Sequence, residues 1–261
     1  AEALVRDGND RLQRMGEATQ VASLSVIECH VAISLWQTGS ISRFGILSRG
    51  RRSVMARSKS SKRWLNEHFD DHYVRQAQQQ GLRSRSAFKL LELHEKHGLI
   101  QSGMTVVDLG AAPGGWCQVA QPLVGPSGRV IALDILAMEP LPGVEFICGD
   151  FTEDEPLRAL EDLLGGKKAD RVLSDMAPNM SGMAAIDQAK AMYLAELALD
   201  FVKAHLKPGG DYVVKLFQGT DFDSYVRLVR SLFDKVQVKK PRASRPRSRE
   251  VYLLARGYRI E

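Results

Sequence analysis

Residues 104–116 read Met104-Thr105-Val106-Val107-Asp108-Leu109-Gly110-Ala111-Ala112-Pro113-Gly114-Gly115-Trp116. The first six make a short apolar run that stops at a glycine turn, the pattern of a strand buried in a parallel sheet. The small residues after it let the backbone approach a ligand, and a helical stretch near 116–124 follows at once. In an open parallel sheet, ligands sit beyond the carboxyl ends of the strands, where the chain turns into helices. The turn therefore marks both the fold and the place to look for a site.

The same alternation extends in both directions. Residues 84–97 predict an amphipathic helix: Ser84 or Ser86 can cap its start, Phe88, Leu91 and Leu93 give it apolar surface, and Gly98 suits its exit. Strands are expected at 129–133, 144–147 and 171–174, with a helix over 153–164. Met192, Ala195, Leu199, Val202 and Leu206 recur at helical steps over 187–206, with Asp187 as the expected cap and Lys207-Pro208-Gly209-Gly210 as the stop. A strand at 211–216, a helix at 222–233 and a closing strand pair at 236–238 and 251–255 complete the pattern. Strands alternating with helices imply an α/β fold, a mainly parallel sheet with helices on both faces.

The turn is not a Walker loop, since no Gly-Lys-Ser/Thr follows and nothing basic stands there to hold phosphates. Ala112 and Pro113 also break the Gly-x-Gly-x-x-Gly pattern, which disfavours a pyrophosphate. Acids mark the strand ends instead: Asp108 before the turn, Asp134 after the second strand, Asp150 after the third. Singly, each is more often a cap or turn residue than a ligand contact. Together they suggest a nucleoside site, with Asp134 accepting from ribose hydroxyls and Asp150 meeting an adenine amino group. Acids around a ligand suit one that is positively charged and carries no phosphate, and S-adenosylmethionine meets both conditions.

The 261 residues are 44% hydrophobic and 26% charged, enough for one large domain or two small ones. No run reaches the roughly 18 apolar residues of a membrane helix, so a helical spanning protein is excluded. Cys29, Cys117 and Cys148 lie far apart without a CxxC or His-rich partner, which argues against a disulfide scaffold or structural zinc and fits a reducing, cytoplasmic setting. Cys117 and Cys148 read as small core residues.

Residues 1–54 differ from the rest: polar at first, briefly apolar over 22–36, then rich in Ser, Gly and Arg. Glu28 and His30 interrupt the apolar run, and five acids spoil a transit-peptide composition. The segment reads as a weakly ordered extension, with Met55-Ala56-Arg57 as an alternative natural start; otherwise its apolar middle docks on the main domain at 55–261. The net charge is only +5, but seven basic residues fall within 49–63 and seven more within 235–249. One such run is usually a solvated face; two of the same sign point to a polyanion surface, which Arg83 and Arg85 would extend.

Five stretches carry a resemblance: Gly81-Leu82-Arg83-Ser84-Arg85-Ser86-Ala87-Phe88-Lys89-Leu90, the turn from Val106 to Trp116, Ser174-Asp175-Met176-Ala177-Pro178-Asn179-Met180-Ser181-Gly182, Val213-Val214-Lys215-Leu216-Phe217-Gln218-Gly219 and Ser248-Arg249-Glu250-Val251-Tyr252. Over about Arg57 to Arg259 the chain resembles the RrmJ/FtsJ family of ribosomal RNA 2′-O-methyltransferases. The resemblance implies a class I methyltransferase fold, Rossmann-like, with seven strands of which the last is antiparallel, and S-adenosylmethionine as donor. It implies a catalytic set at Lys89, Asp175, Lys215 and Glu250, and cofactor contacts at Gly114, Trp116, Asp134, Asp150 and Asp175. The substrate it implies is a uridine ribose in the A-loop of large-subunit (23S) rRNA, within the 50S subunit, with a monomeric enzyme and no metal.

Methyl transfer to a ribose hydroxyl requires alignment of oxygen, methyl and sulfur, and a route for the proton. Lys215 interrupts an apolar strand, so it either snorkels or is held for use. Lys89 and burial favour its neutral amine, Asp175 and Glu250 its ammonium. Alone, Lys89 would read as a solvated helix residue and Glu250 as a strand-edge charge. Asn179, Ser181 and Gly182 could grip a nucleotide, and Tyr193, Phe217 or Tyr252 could stack on a base. Two rival readings are a nicotinamide-dependent oxidoreductase and an RNA-binding module without activity; tRNA and mRNA caps are rival substrates.

Overall fold

The computed structural model describes residues 71–259. The expectations for residues 1–54, the boundary at 55, Cys29 and the basic run over 49–63 lie outside the described residues. The described chain runs α1 (His72–Gln79), α2 (Ala87–His97), β1 (Thr105–Leu109), α3 (Gly115–Val124), β2 (Arg129–Asp134), β3 (Val144–Cys148), α4 (Asp154–Leu164), β4 (Ala169–Ser174), α5 (Ala184–His205), β5 (Leu206–Phe217), α6 (Phe222–Leu232), β6 (Phe233–Lys239) and β7 (Glu250–Tyr258).

The seven strands form one sheet in the order β3-β2-β1-β4-β5-β7-β6. All neighbours from β3 to β5 are parallel, while β7 lies antiparallel between β5 and β6. The expected α/β fold and its closing antiparallel strand are thus present. Side chains alternate across a strand, and that parity divides the core. Val107, Leu109, Ile131, Leu133, Val172, Val214 and Leu253 pack with α4, α5 and α6 on one face. Val106, Val130, Leu173, Val213 and Leu254 pack with α2 and α3 on the other.

Four local expectations change. Helix α5 starts at Ala184, so Asp187 lies in its first turn and is not its cap. There the carboxylate accepts from Ser181 N and Oγ, both at 2.7 Å, and from Gly182 N at 3.1 Å, closing the preceding loop. Ser86 takes the N-cap position of α2, but its side chain makes no capping bond; the Ser84 and Ser86 hydroxyls bond each other at 2.6 Å, and backbone turns supply the first bonds of the helix. Cys117 is buried as expected, but Cys148, at the end of β3, is exposed. The strand predicted at 211–216 begins earlier, at Leu206. Among the described residues no helix is long and apolar enough to cross a membrane.

Candidate active site

Residue parity assembles the site. Val106 and Leu173 face the α2/α3 layer, so Asp108 and Asp175, two residues further on, point to the same side. On β5, Val213 leads to Lys215; on β7, Glu250 and Tyr252 share a face with Leu254. The antiparallel register sets Lys215 directly opposite Tyr252. Helix α2 lies over this face and brings in Lys89, whose residue is only 8% exposed.

The sequence-expected Lys-Asp-Lys-Glu residues therefore meet, and a fifth group joins them. Lys89 Nζ lies 2.6 Å from Glu250 Oε1 and donates to Tyr252 Oη at 3.0 Å. Tyr252 Oη donates to Asp175 Oδ1 at 2.7 Å. Lys215 Nζ is 3.0 Å from the same oxygen and also donates to the Asp175 main-chain carbonyl. Ser244 Oγ donates to Glu250 Oε1 at 2.9 Å. Tyr252, considered from sequence only as a stacking aromatic, is fully buried and cannot stack on a base. Its spacing of two from Glu250 along a strand was the signal for its place in the cluster. Of the other aromatics, Tyr193 is 53% exposed.

Burial pushes the Asp175 carboxyl up, but the charges of Lys215 and Lys89 and the hydrogen bonds from Tyr252 and Lys215 outweigh it and hold it below the usual carboxylate range. Burial, reinforced by Asp175 and Glu250, raises the Tyr252 phenol well above its ordinary value, so it stays a donor. Burial also pushes Asp108 up to about 7 against the opposing hydrogen bond from Cys117, with Asp175 and Asp134 adding to the rise.

The glycine turn lies beside this cluster. Asp175 N donates to Leu109 O at 3.0 Å, and Gly110 N donates to Leu133 O at 2.9 Å. Gly110 has φ +79, and a Cβ there would stand 2.7 Å from Met176 N, so only glycine fits. Asp134 accepts from Ala112 N and Leu136 N, each at 2.8 Å, while Asp150 Oδ1 accepts from Thr152 N at 2.9 Å. Asp134 ends β2 and Asp150 lies two residues beyond β3, its parallel neighbour. Gly114 has φ +101 at the start of α3. The Trp116 indole turns inward, donating to Ser86 O at 2.9 Å; toward a ligand it can offer its first-turn main-chain N–H. Asp108 Oδ1 is buried without a partner beneath this turn. A glycine turn at the strand ends, an unsatisfied carboxyl oxygen and two strand-end acids fit a cationic nucleoside.

A cavity of ≈ 210 Å³ adjoins the cluster and is lined by Arg85, Lys89, Arg245, Ser248 and Glu250. Of the rest of the basic run, Lys240, Arg242, Arg247 and Arg249 are exposed.

A family model for FtsJ-like methyltransferases matches residues 82–258. The chain belongs to the FtsJ-like methyltransferase family. It is an enzyme of that methyl-transfer class, and the oxidoreductase reading falls away. Within the family it is 62% identical to ribosomal RNA large subunit methyltransferase E of Alkalilimnicola ehrlichii, over 80% of this chain and 99% of that protein. It is 58% identical to the protein of the same name from Pseudomonas aeruginosa, over 79% of this chain and all of the other. A solved structure described as a ribosomal RNA methyltransferase from Plasmodium falciparum superposes with a TM-score of 0.61 at 29% identity, over 67% of this chain and 98% of that one. Both FtsJ-like expectations, family and fold, are borne out.

Proposed function

We propose that this enzyme transfers a methyl group from S-adenosylmethionine to a ribose 2′-hydroxyl of large-subunit ribosomal RNA, acting in the cytoplasm. The observation that carries the reading is the continuous chain Lys215–Asp175–Tyr252–Lys89–Glu250 at the sheet edge beside the acid-lined turn. The names of the bacterial relatives supply the RNA class. The uridine of the A-loop and the assembled 50S subunit are the target and context we assign.

The donor would lie over the turn, with Gly114, the Trp116 main chain, Asp134, Asp150 and Asp175 as its contacts. When bound, it supplies an electrophilic methyl group on a good sulfonium leaving group. The chain's own residues then have the task of holding and deprotonating a weak nucleophile. Lys215 Nζ has committed hydrogen bonds to Asp175 O and Oδ1, which fixes its position and leaves one position on nitrogen for the hydroxyl. Lys215 thereby orients the oxygen and, as the neutral amine, takes on its free lone pair the proton that the hydroxyl loses as the methyl is transferred. Asp175 holds Lys215, Tyr252 holds Asp175, and the Lys89–Glu250 pair anchors Tyr252. The exposed basic run holds the RNA backbone, and Tyr193 is available to stack on a base.

The test is incubation of the protein with labelled S-adenosylmethionine and undermethylated 50S subunits, free 23S rRNA and tRNA, followed by mapping. The label is expected on one uridine 2′-oxygen of the 50S particle. Label on a base, or on tRNA in preference, would replace this reading.

A further inference from the structure

The segment just ahead of α2 holds two arginines whose side chains part. Arg85 turns toward Asp71 and the carbonyl of Ala243, beside the basic cavity. Arg83 turns the other way. Its Nη1 donates to Pro113 O at 3.2 Å and Glu139 O at 2.5 Å, and its Nη2 to Pro140 O at 2.9 Å. Its main-chain N–H is fixed by Gln118 Oε1 at 2.9 Å, and Gln118 Nε2 returns a bond to Gly81 O at 2.8 Å.

One guanidinium thus spans the glycine turn after β1 and the loop after β2. Asp134 joins the same two segments through Ala112 N and Leu136 N. The approach to the turn is close: a Cβ on Gly114 would lie 3.1 Å from Arg83 Nη1 and 2.9 Å from Leu141 Cδ1. Loop carbonyls outside any ladder need donors, and a planar guanidinium can serve three at once where a lysine ammonium on a flexible stem cannot hold the same fork. With both terminal nitrogens engaged on main-chain carbonyls, Arg83 is not arranged for the bidentate grip that arginine gives a phosphate.

We propose that Arg83 is a positioning residue of the methyl-donor pocket, clamping the 110–116 turn against the 135–141 loop, and is not a contact for the RNA backbone. The proposal rests on the reading that the donor lies over these loops. The clamp itself is a property of the chain, so it can be tested without the donor.

The full chain is compared with Arg83→Ala and Arg83→Lys in three measurements: hydrogen exchange without donor, S-adenosylmethionine affinity by calorimetry, and rRNA affinity as a function of salt. Expected are faster exchange confined to 110–116 and 135–141, donor affinity weakened about tenfold or more in both variants, and RNA affinity with its salt slope unchanged. Unchanged exchange in the two loops overturns the clamp. So does a salt slope lowered by about 0.7 with donor affinity intact, which is the signature of a lost phosphate contact. Should the alanine variant exchange faster everywhere, the lysine variant, which keeps charge and stem, decides by the same criteria. Loosened loops in a protein whose parent binds no S-adenosylmethionine would leave the clamp standing and remove the donor assignment.

Discussion

Tyr252 and Asp175 are joined by a 2.7 Å hydrogen bond from phenol to carboxylate, between residues 77 positions apart in the chain. Because Tyr252 Oη also accepts from Lys89 Nζ at 3.0 Å, the phenol links the two charged pairs of the site, Lys89–Glu250 and Lys215–Asp175. It is neutral and buried, so it transmits position without adding charge.

Replacing Tyr252 with Phe keeps the ring against Trp116, 5.6 Å away between centroids, and removes only the link. Stability should fall by about 1 kcal/mol, and the rate of transfer by about 10- to 100-fold, with donor affinity unchanged. Single-turnover kinetics and calorimetry measure the two; a full rate in the Phe variant would show that Asp175 needs no such support.

Lys215→Ala removes the group assigned to the hydroxyl while leaving the glycine turn intact. Turnover at saturating donor should drop by roughly 10²–10⁴, and the donor dissociation constant should change little. Equal activity of the two proteins would end the role given to Lys215.

Asp108 gives a pH signature. Its carboxyl ordinarily titrates at 3.8 and is pushed up to about 7 by burial. Between those values the folded protein holds a proton that the unfolded chain has lost, so this group lowers stability as pH rises through that window and adds no further loss above it. The total is at most about 4 kcal/mol. Asp175, held low, acts in the opposite sense, losing its contribution as pH falls. Denaturant titrations of Asp108→Asn against the parent isolate the first effect: the variant should gain relative stability from pH 5 to 7. A difference independent of pH would mean Asp108 is not protonated in the fold.

Gly110→Ala should be destabilising, because it combines φ +79 with a Cβ 2.7 Å from Met176 N and 2.8 Å from its Cα. Backbone cannot yield as a side-chain tip can, so a loss of about 3 kcal/mol is expected. The shift in denaturation midpoint reads it directly.

Arg242 and Arg249 are exposed in the basic run beside the cavity. Changing both to Ala should reduce the slope of log affinity against log salt by roughly 1.4 if each meets a phosphate of unpaired RNA. An unaltered slope would move the RNA to another face.

Part of this was legible locally. The apolar run of β1, its glycine stop and the strand-end acids are short-range patterns, whereas Lys89, Asp175, Lys215 and Glu250 were grouped only through the family resemblance, and it is the strand register that shows them on one face. What escaped depends on partners far along the chain. Val236–Val238 and Val251–Ala255 read as a closing pair, but local pattern does not say that β7 enters between β5 and β6. Asp187 looked like a cap because an acid preceded an apolar periodic run; the helix starts three residues earlier, and the carboxylate gathers loop donors instead. Tyr252 looked like any strand aromatic until Lys215 was found opposite it. Arg83, one of several arginines in sequence, differs from the rest only through the carbonyls it reaches.

The insertion of β7 has a bearing on how the enzyme fails. The strand carrying Glu250 and Tyr252 is zipped on both sides, to β5 and to β6. Peeling it away would split the sheet, not shorten it, so heat or protease should extinguish activity in the same event that dismantles the domain, with no crippled but folded species in between.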